Sequence, residues 1–383
     1  MKSKAAVMVS PYKMETMEIE VPKLEKDCAL IRIELSGICG TDKHSFKGEN
    51  KQYGGTAGEF FSQYPFIGGH ETVGIIEEIG PEGAKNLEFY GKTLKPGDRV
   101  VVIPDLYCNN CYYCRQMPFY PWCDHIQGHG NISLKEWPYL NGGWSQYLYT
   151  RPNTDLFLMP EDASPEVGSL IEIFVVAYAL DKVKEFYNFA GEGLGFGDNL
   201  AVYGVGALGL AHVIKARLLG VDKIIAIDRS QFRLDLAKRF GADITLNVNN
   251  TTAEERLETI RSATEGHGVD VVVGATGDPS TFNESLDLLR KVGTYIEVGQ
   301  FVDLGEVKIN PHKILSRNLR VVGVSDHPTF GYDATCRMLE RFKNLYPIQE
   351  MITKRFGLEH AQQALERALA DDVMKITFDP WKD

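Results

Sequence analysis

The sequence is short of positive charge, of cysteine and of long hydrophobic runs. Its 383 residues include 41 Lys and Arg against 52 Asp and Glu, so the formal net charge is −11. A negative chain repels a phosphate backbone, and no basic run with interleaved aromatic residues relieves that repulsion, so we expect no nucleic-acid partner. No stretch approaches about eighteen consecutive apolar residues, so we expect no membrane span.

The N-terminus also lacks the features of a secreted protein. MKSKAAVMVSPYKMETMEIE has neither the apolar segment nor the small-residue cleavage site of a signal peptide, so we expect a cytoplasmic protein. Disulfides seldom persist in that reducing compartment. The composition, 44% hydrophobic and 24% charged, is typical of a globular protein, and 383 residues predict more than one domain.

Four of the seven cysteines nevertheless lie together in CNNCYYCRQMPFYPWC, residues 108–123. The gaps between Cys108, Cys111, Cys114 and Cys123 are two, two and eight residues, which lets one loop surround a single Zn²⁺. Four thiolates close the coordination shell and leave no position for water, so the spacing predicts a structural zinc site. Two alternatives remain open, namely an iron–sulfur cluster and a set of small buried side chains with a chance CxxC.

The chain changes character near residue 198. Before it, short apolar runs such as CALIRIELSGICG and GDRVVVIP, broken by glycine and proline, predict antiparallel strands in a small barrel. The glycine-rich segment 48–64, which also contains an aromatic pair, is expected to be a long surface loop.

From residue 198 onward, six apolar strands alternate with helices, which predicts a doubly wound parallel sheet. Gly220 and Gly241 stand where helices should end, Thr252 and Glu255 have capping-box spacing, and a helix is expected from Pro279 to about Val292. We expect a first domain over 1–167, a second domain over 168–325, and a segment 326–383 that returns to the first domain.

A glycine motif follows the first strand of that sheet. Gly204, Gly206 and Gly209 form GxGxxG between NLAVY and a helix, which suits the binding of a pyrophosphate at the helix N-terminus. Asp228 ends the next strand nineteen residues after Gly209, where a carboxylate favours the ribose of NAD and repels the phosphate of NADP. Arg229 could tolerate that phosphate, so NADP is the less expected cofactor. The predicted cofactor-binding residues are Gly204, Gly206, Ala207, Leu208, Gly209, Asp228, Arg229 and Arg233.

A second set of metal-ligand residue types is scattered along the chain. GICGTDKH contains Cys39, Thr41 and His44; IGGHE contains His70 and Glu71; LIEIF contains Glu172. Periodicity does not show that these residues meet, and singly His70 reads as an ordinary histidine and Cys39 as a buried thiol.

The motif GICGTDKH is followed along the chain by GGHETVGIIEEIG, KPGDRV, the cysteine run and GVGALG. With this ordered set of motifs, the chain resembles the zinc-dependent medium-chain dehydrogenases over nearly its whole length. The resemblance implies a GroES-like β-barrel catalytic domain joined to a Rossmann domain. It also implies a homodimer or a homotetramer.

The same resemblance implies roles for the scattered residues. Cys39, His70 and Glu172 would bind a catalytic zinc, which Glu71 could join in an alternating coordination, and Asp42 would orient His70. Ile173 stands where sorbitol-type enzymes have a proline after this glutamate. Thr41 would take the substrate proton and pass it through a ribose hydroxyl to His44.

The function that follows is oxidation of a secondary alcohol, polyol or sugar by NAD, with ketone reduction as the reverse. The alternatives are a simple alcohol or aldehyde dehydrogenase, an NADP-dependent sugar dehydrogenase, and a catalytically silent nucleotide-binding protein.

Overall fold

A computed structural model describes residues 1–52, 54–55, 59–117, 122–184 and 192–382. The chain divides into two compact units, a first unit of Met1–Val175 with His327–Asp383 and a second unit of Val176–Asp326. The expected boundary between residues 167 and 168 falls inside the helix Pro165–Val176. Within the described ranges, no helix is both long enough and apolar enough to cross a membrane.

Short strands separated by turns build the N-terminal part of the first unit. They are β1 Lys2–Ser10, β2 Lys13–Glu20, β3 Ala29–Gly37, β4 Lys51–Gln52, β5 Phe60–Phe61, β6 Phe66–Ile67, β7 Thr72–Ile79, β8 Arg99–Val102, β9 Asp105–Leu106, β10 Gln127–Gly128, β11 Tyr147–Tyr149 and β12 Leu156–Leu158. The helices of this part are α1 Gly40–Lys47, α2 Gly83–Asn86, α3 Tyr112–Gln116 and α4 Pro165–Val176.

Strands and helices alternate in the second unit. Its strands are β13 Asn199–Tyr203, β14 Lys223–Asp228, β15 Ile244–Asn247, β16 Val269–Gly274, β17 Leu289–Glu297 and β18 Arg320–Gly323. Its helices are α5 Ala179–Lys184, α6 Ala207–Leu218, α7 Gln231–Arg239, α8 Ala253–Ala263, α9 Thr281–Leu288 and α10 His312–Leu315.

The C-terminal segment completes the sheet of the first unit. It contains α11 Gly331–Arg341, β19 Ile352–Phe356, α12 Ala361–Ala368, β20 Lys375–Phe378 and two 3₁₀ helices, Ile348–Met351 and Leu358–His360. The main sheet has the order β12-β8-β7-β3-β20-β19, with β11 also paired to β3. β20 runs antiparallel to β3 with Thr377 opposite Gly37, so the last strand of the chain lies beside one of the first.

All pairings in the second unit are parallel, in the order β15-β14-β13-β16-β17-β18. The chain starts at the centre, moves outward to β15 and then crosses back to β16. The order therefore reverses between β13 and β16, and ligands of doubly wound sheets bind at the carboxyl ends of the strands at such a point. The predicted doubly wound sheet is confirmed.

The turn and capping signals of the second unit have mixed outcomes. Gly220 and Gly241 have φ of +86° and +114°, and Thr252 and Glu255 form the predicted capping box. The helix expected to reach Val292 is wrong at its C-terminal end, because α9 stops at Leu288 and β17 begins at Leu289. Leu289 pairs with Val269 of β16, so strand pairing overrides the helical continuation.

Segment 48–64 is also more ordered than a loop, because Lys51 pairs with Phe61 in an antiparallel β4–β5 hairpin. Residues 53 and 56–58 of the expected loop lie outside the described residues. Trp144 is fully buried in the core of the first unit, together with residues of both chain ends such as Val7 and Phe378.

Candidate functional site

The N-terminus of α1 carries the first of the predicted site residues. Cys39 is its N-cap, and the Cys39 backbone N–H donates to Asp42 Oδ2 at 2.8 Å. Because Asp42 is the third residue of the helix, this bond fixes the first turn and holds the Cys39 side chain at a defined place. Thr41 Oγ1 lies 3.9 Å from Cys39 Sγ.

His70 and Glu71 immediately precede β7, where two glycines allow the chain to pass close to a buried aromatic ring. Gly69 has φ +91°, and a Cβ on Gly68 or Gly69 would lie 2.5 Å or 2.4 Å from Trp144. The Trp144 indole N–H in turn donates to the Gly37 carbonyl at 3.1 Å. The glycines of IGGHE therefore bring His70 and Glu71 close to the end of β3.

Glu172 reaches the same region from α4. Gly168 in this helix lies so close to β7 that a Cβ there would be 2.5 Å from Val73 Cγ2. Glu172 is nearly buried, and its neighbours Ile171 and Ile173 are buried in the core. Ile173 therefore continues a regular helix through the position where the resemblance expects a proline.

The structure brings together three of the four predicted catalytic-metal ligands. Ligand atoms of Cys39, His70 and Glu71 all lie within 4.8 Å of one another. Glu172 is not a member of that group, but its negative charge acts on His70. His70 Nδ1 is buried and makes no hydrogen bond to any residue that the structure describes, and the nearby Asp42 Oδ1 at 3.7 Å is too distant to make one.

The electrostatics of this cluster favour a cation. Burial by itself would lower the pKa of His70, but the charges of Asp42 and Cys39, with a smaller contribution from Glu172, raise it well above its ordinary value. Burial raises the pKa of Asp42, against the opposing effect of the positive charge of His70. A thiol, an imidazole with a buried unbonded nitrogen and nearby carboxylates are the donors that an open zinc site uses, so these residues fit the metal that the resemblance implies.

The sequence interpretation missed Lys375, the first residue of β20. Its Nζ lies 2.6 Å from Glu71 Oε1 and 2.7 Å from Glu71 Oε2, and both side chains are buried. Burial would lower the pKa of Lys375, but Glu71 and then Cys39 raise it above its ordinary value. The only signal in the sequence is one lysine in the mostly apolar run VMKITF, which does not indicate a partner 304 residues away.

His44 lies one helical turn after Thr41 on α1, so the two side chains occupy the same side of the helix. His44 Nδ1 lies 2.8 Å from Glu49 Oε2, which the sequence interpretation did not include. Burial is the largest influence on the pKa of His44 and lowers it, against the opposing effect of Glu49. The neutral imidazole that a proton acceptor needs is therefore the prevailing form near pH 7.

The four clustered cysteines converge as the spacing predicts. Their sulfurs lie within 4.8 Å of one another, with Cys108 and Cys114 3.9 Å apart, and none forms a disulfide. A tetrahedral zinc site with Zn–S distances of about 2.3 Å has sulfur–sulfur edges of about 3.8 Å. The backbone N–H groups of Cys108 and His125 donate to Cys123 Sγ at 3.4 Å.

Backbone hydrogen bonds also lower the pKa of Cys111 to about 6, which favours a thiolate ligand. These four residues fit a closed zinc site. Residues 118–121 of the run lie outside the described residues.

Each of the three glycines of GxGxxG, in the second unit, occupies a position where the absence of a side chain has a different steric consequence. Gly204 has φ +89°, and a Cβ on Gly209 would lie 1.9 Å from the Gly204 carbonyl oxygen. Gly206 is the N-cap of α6, and among the described residues no atom lies within 4 Å of a Cβ added to it, which leaves space for a ligand at the helix N-terminus. Ala207 and Leu208 form the first turn of α6 beside that space.

Asp228 ends β14 next to this loop. Its Oδ2 accepts the Val205 N–H and its Oδ1 accepts the Ser230 N–H, both at 2.8 Å. Each oxygen keeps a further lone pair for a ribose hydroxyl. Arg229 is exposed beside Asp228, and Arg233 is half-buried in the first turn of α7.

Comparison with known families agrees with this geometry. The description "alcohol dehydrogenase GroES-like domain" matches residues 25–161, and "zinc-binding dehydrogenase" matches residues 207–331. The chain is 30% identical to 5-exo-hydroxycamphor dehydrogenase of Pseudomonas putida, covering 98% of each chain. It is also 30% identical to sorbitol dehydrogenase of Bacillus subtilis, covering 98% of this chain and 97% of that protein.

Among solved structures, an alcohol dehydrogenase of Thermotoga maritima superposes with a TM-score of 0.86 at 29% identity, covering 99% of both chains. The chain belongs to the zinc-dependent medium-chain dehydrogenase superfamily. It is an oxidoreductase acting on CH–OH groups, an alcohol or polyol dehydrogenase, with the GroES-like and Rossmann folds that the resemblance implied.

Proposed function

We propose that the protein is a zinc- and NAD-dependent dehydrogenase that oxidises a secondary alcohol, polyol or sugar to the matching carbonyl compound, reversibly. The observation that carries the proposal is the convergence of Cys39, His70 and Glu71, with Glu172 nearby, in a buried cluster rich in negative charge. Two relatives at 30% identity are named for sorbitol and for a hydroxycamphor, which supports a polyol or secondary alcohol as the substrate class.

In this proposal Cys39, His70 and Glu172 hold one zinc, and Glu71 is a further carboxylate within reach of it. The zinc would supply a Lewis acid for the substrate hydroxyl. Asp42 steadies the first turn of α1 and places a negative charge beside His70. Cys108, Cys111, Cys114 and Cys123 hold a second, structural zinc, because their sulfur separations suit one metal ion better than a multi-iron cluster.

Hydride transfer needs a nicotinamide held by the second unit, and NAD would supply the hydride acceptor. We propose that Gly204, Gly206, Ala207, Leu208 and Gly209 bind its pyrophosphate through the N-terminus of α6. Asp228 accepts the ribose hydroxyls and disfavours a phosphate there. Arg229 and Arg233 lie at the edge of this site, and the exposure of Arg229 is the observation that keeps NADP as a second candidate.

In this proposal, side chains of α1 carry away the proton that the substrate hydroxyl releases. Thr41 Oγ1, 3.9 Å from Cys39 Sγ, is the first acceptor at the metal cluster, and His44 one turn later receives the proton next. Because Glu49 binds His44 Nδ1, that nitrogen carries the hydrogen of the neutral ring, and Nε2 is the nitrogen that accepts the proton.

A screen for NAD reduction across polyols, sugars and short secondary alcohols, with zinc measured in the same preparation, tests the proposal. We expect two zinc ions per chain and NAD reduction with at least one substrate. Cys39→Ser should lose one zinc and the activity together. One zinc per chain with NAD bound and no substrate oxidised would instead indicate a silent nucleotide-binding protein.

A further inference from the structure

The buried pair of Lys375 and Glu71 uses all the hydrogen-bonding capacity of the lysine. An ammonium group has three N–H donors. The Lys375 Nζ meets three acceptors, namely Glu71 Oε1 at 2.6 Å, Glu71 Oε2 at 2.7 Å and the Ile38 carbonyl oxygen at 3.1 Å. Both oxygens of Glu71 are therefore engaged by one cation.

The backbone around this pair is shaped to receive the carboxylate. A Cβ on Gly37 would lie 1.9 Å from Glu71 Oε2, so only glycine leaves room for the oxygen at this position. The Gly37 N–H also donates to the Glu71 carbonyl at 2.9 Å. Thr377, two residues after Lys375 on β20, lies opposite Gly37 in the sheet, so the two strands hold the lysine and the glycine on either side of Glu71.

The same carboxylate lies close enough to the metal cluster to serve as a ligand there. A Glu71 oxygen lies within 4.8 Å of ligand atoms of Cys39 and His70. Glu71 thus has two cations within reach, the Lys375 ammonium and the zinc that we propose for the cluster. A carboxylate buried this deeply needs one of them, because an unpaired buried charge is strongly destabilising.

We infer that Lys375 is a positioning residue that holds Glu71 off the catalytic metal and thereby keeps a coordination position available for substrate. The inference rests on the proposed function, because it requires a metal bound by Cys39 and His70. In the resting enzyme, Glu71 is then paired with Lys375, and Glu172 is the carboxylate that completes the metal site.

Lys375→Met removes the ammonium and keeps a side chain of similar length, so it tests the inference directly. Glu71 is then left with the metal as its nearest cation. We expect the absorption bands of Co²⁺ substituted at the catalytic site to change, because they respond to the ligand set. Loss of this metal to a chelator should slow by about tenfold, as an added anionic ligand raises affinity. The kcat should fall more than KM rises.

Three variants control for other effects. Lys375→Met combined with Glu71→Gln removes both charges and should restore the wild-type Co²⁺ spectrum and chelation rate. Lys375→Arg keeps a cation beside Glu71 and should resemble the wild type. Lys354→Met makes the same substitution at an exposed lysine of β19 and should change neither measurement.

Gly37→Ala gives a second way to break the pair if Lys375→Met does not fold. Its added methyl needs the place of Glu71 Oε2, so the same spectral change is expected, reversed by adding Glu71→Gln. A wild-type spectrum and chelation rate in Lys375→Met, or in Gly37→Ala where only that variant folds, would overturn the inference. So would a changed spectrum that persists when Glu71→Gln is added.

Failure of the proposed function has a different signature. If the wild-type protein holds only the zinc of the cysteine lobe, and Cys39→Ser leaves the zinc content unchanged, then no catalytic metal exists and the proposed function fails with the inference. If wild type binds two zinc ions and oxidises substrate while Lys375→Met behaves as wild type, the inference alone fails.

Discussion

The two candidate metal centres of the first unit are assembled in opposite ways. The cysteine lobe takes all four sulfurs from residues 108–123, and its thiols are mostly half-buried. The Cys39 centre takes its residues from α1, from the segment just before β7, from α4 and from β20. Asp42, Glu71, Glu172 and Lys375 around it are all nearly or fully buried. A local centre can form from a short segment, whereas the second centre exists only when distant strands have already paired.

The largest expected effect is a loss of thermal stability when the metal site of the cysteine lobe is broken, compared with a small loss when the Cys39 centre is broken. Cys111→Ser should remove one zinc per chain and lower Tm strongly, because structural zinc binding contributes directly to the folding free energy. Cys39→Ser should also remove one zinc but abolish activity, with a much smaller change in Tm. Thermal unfolding, zinc content and activity measured on both variants check this. Unchanged zinc content and Tm in Cys111→Ser would contradict a metal site in the lobe.

A carboxylate comparison tests which glutamate belongs to the open centre. Glu172→Ala should lower kcat by at least about tenfold and loosen one of the two zinc ions, since loss of a ligand or its support typically costs ten- to a hundredfold. Affinity for NAD should stay nearly intact. Glu166→Ala removes a carboxylate from the same helix, where Glu166 pairs with Arg355, and should retain kcat and both metals. Full activity with both zinc ions in Glu172→Ala would remove Glu172 from the site.

Glu71→Ala should show a different defect from Glu172→Ala. The substitution leaves the buried Lys375 ammonium without its carboxylate, and breaking a buried ion pair costs about 3–5 kcal/mol. We therefore expect the free energy of unfolding to fall more in Glu71→Ala than in Glu172→Ala, as measured by urea titration. Equal stability of the two variants would mean that the Lys375 pair contributes little.

The pH dependence of the reaction tests His44, which lies on α1 and contacts Glu49 just after that helix. Its pKa is lowered, mainly by burial, so the neutral acceptor form persists below pH 6.5 and is lost only as the pH falls through the lowered pKa. We expect kcat for oxidation to decline on that acid side. His44→Gln should reduce kcat by about tenfold and remove this limb of the profile. An unchanged profile in the variant would exclude His44 from the proton path.

The smallest effect concerns cofactor choice at the glycine loop, another locally encoded site. The Asp228 carboxylate should make kcat/KM for NAD exceed that for NADP by about tenfold, equivalent to about 1–2 kcal/mol of charge repulsion. Asp228→Asn should shrink that ratio, whereas Asp222→Asn, at an exposed position before the same strand, should preserve it. Equal use of both cofactors by the wild type would contradict the role given to Asp228.

Features that depend on residues close together in the sequence were predicted correctly, whereas features that depend on pairing between distant segments were not. GxGxxG, the Thr252–Glu255 capping box and the glycine C-caps depend on neighbours within a few residues, and the structure places them as predicted. The end of α9 depended on pairing between Leu289 and Val269, so a helical pattern extended too far. The β4–β5 hairpin was missed for the same reason, because glycine-rich flanks concealed the pairing of Lys51 with Phe61.

The sequence by itself determined that the four lobe cysteines converge and that the glycine loop has room for a ligand. Both features depend on residues that lie within sixteen positions of one another. The sequence also named Cys39, His70, Glu71 and Glu172, but only by resemblance. Only the tertiary structure showed that Lys375 contacts Glu71, because the two residues are 304 positions apart and meet when β20 pairs with β3. A buried charge needs an oppositely charged neighbour, and this neighbour can come from a distant part of the chain. A local sequence pattern therefore does not identify it.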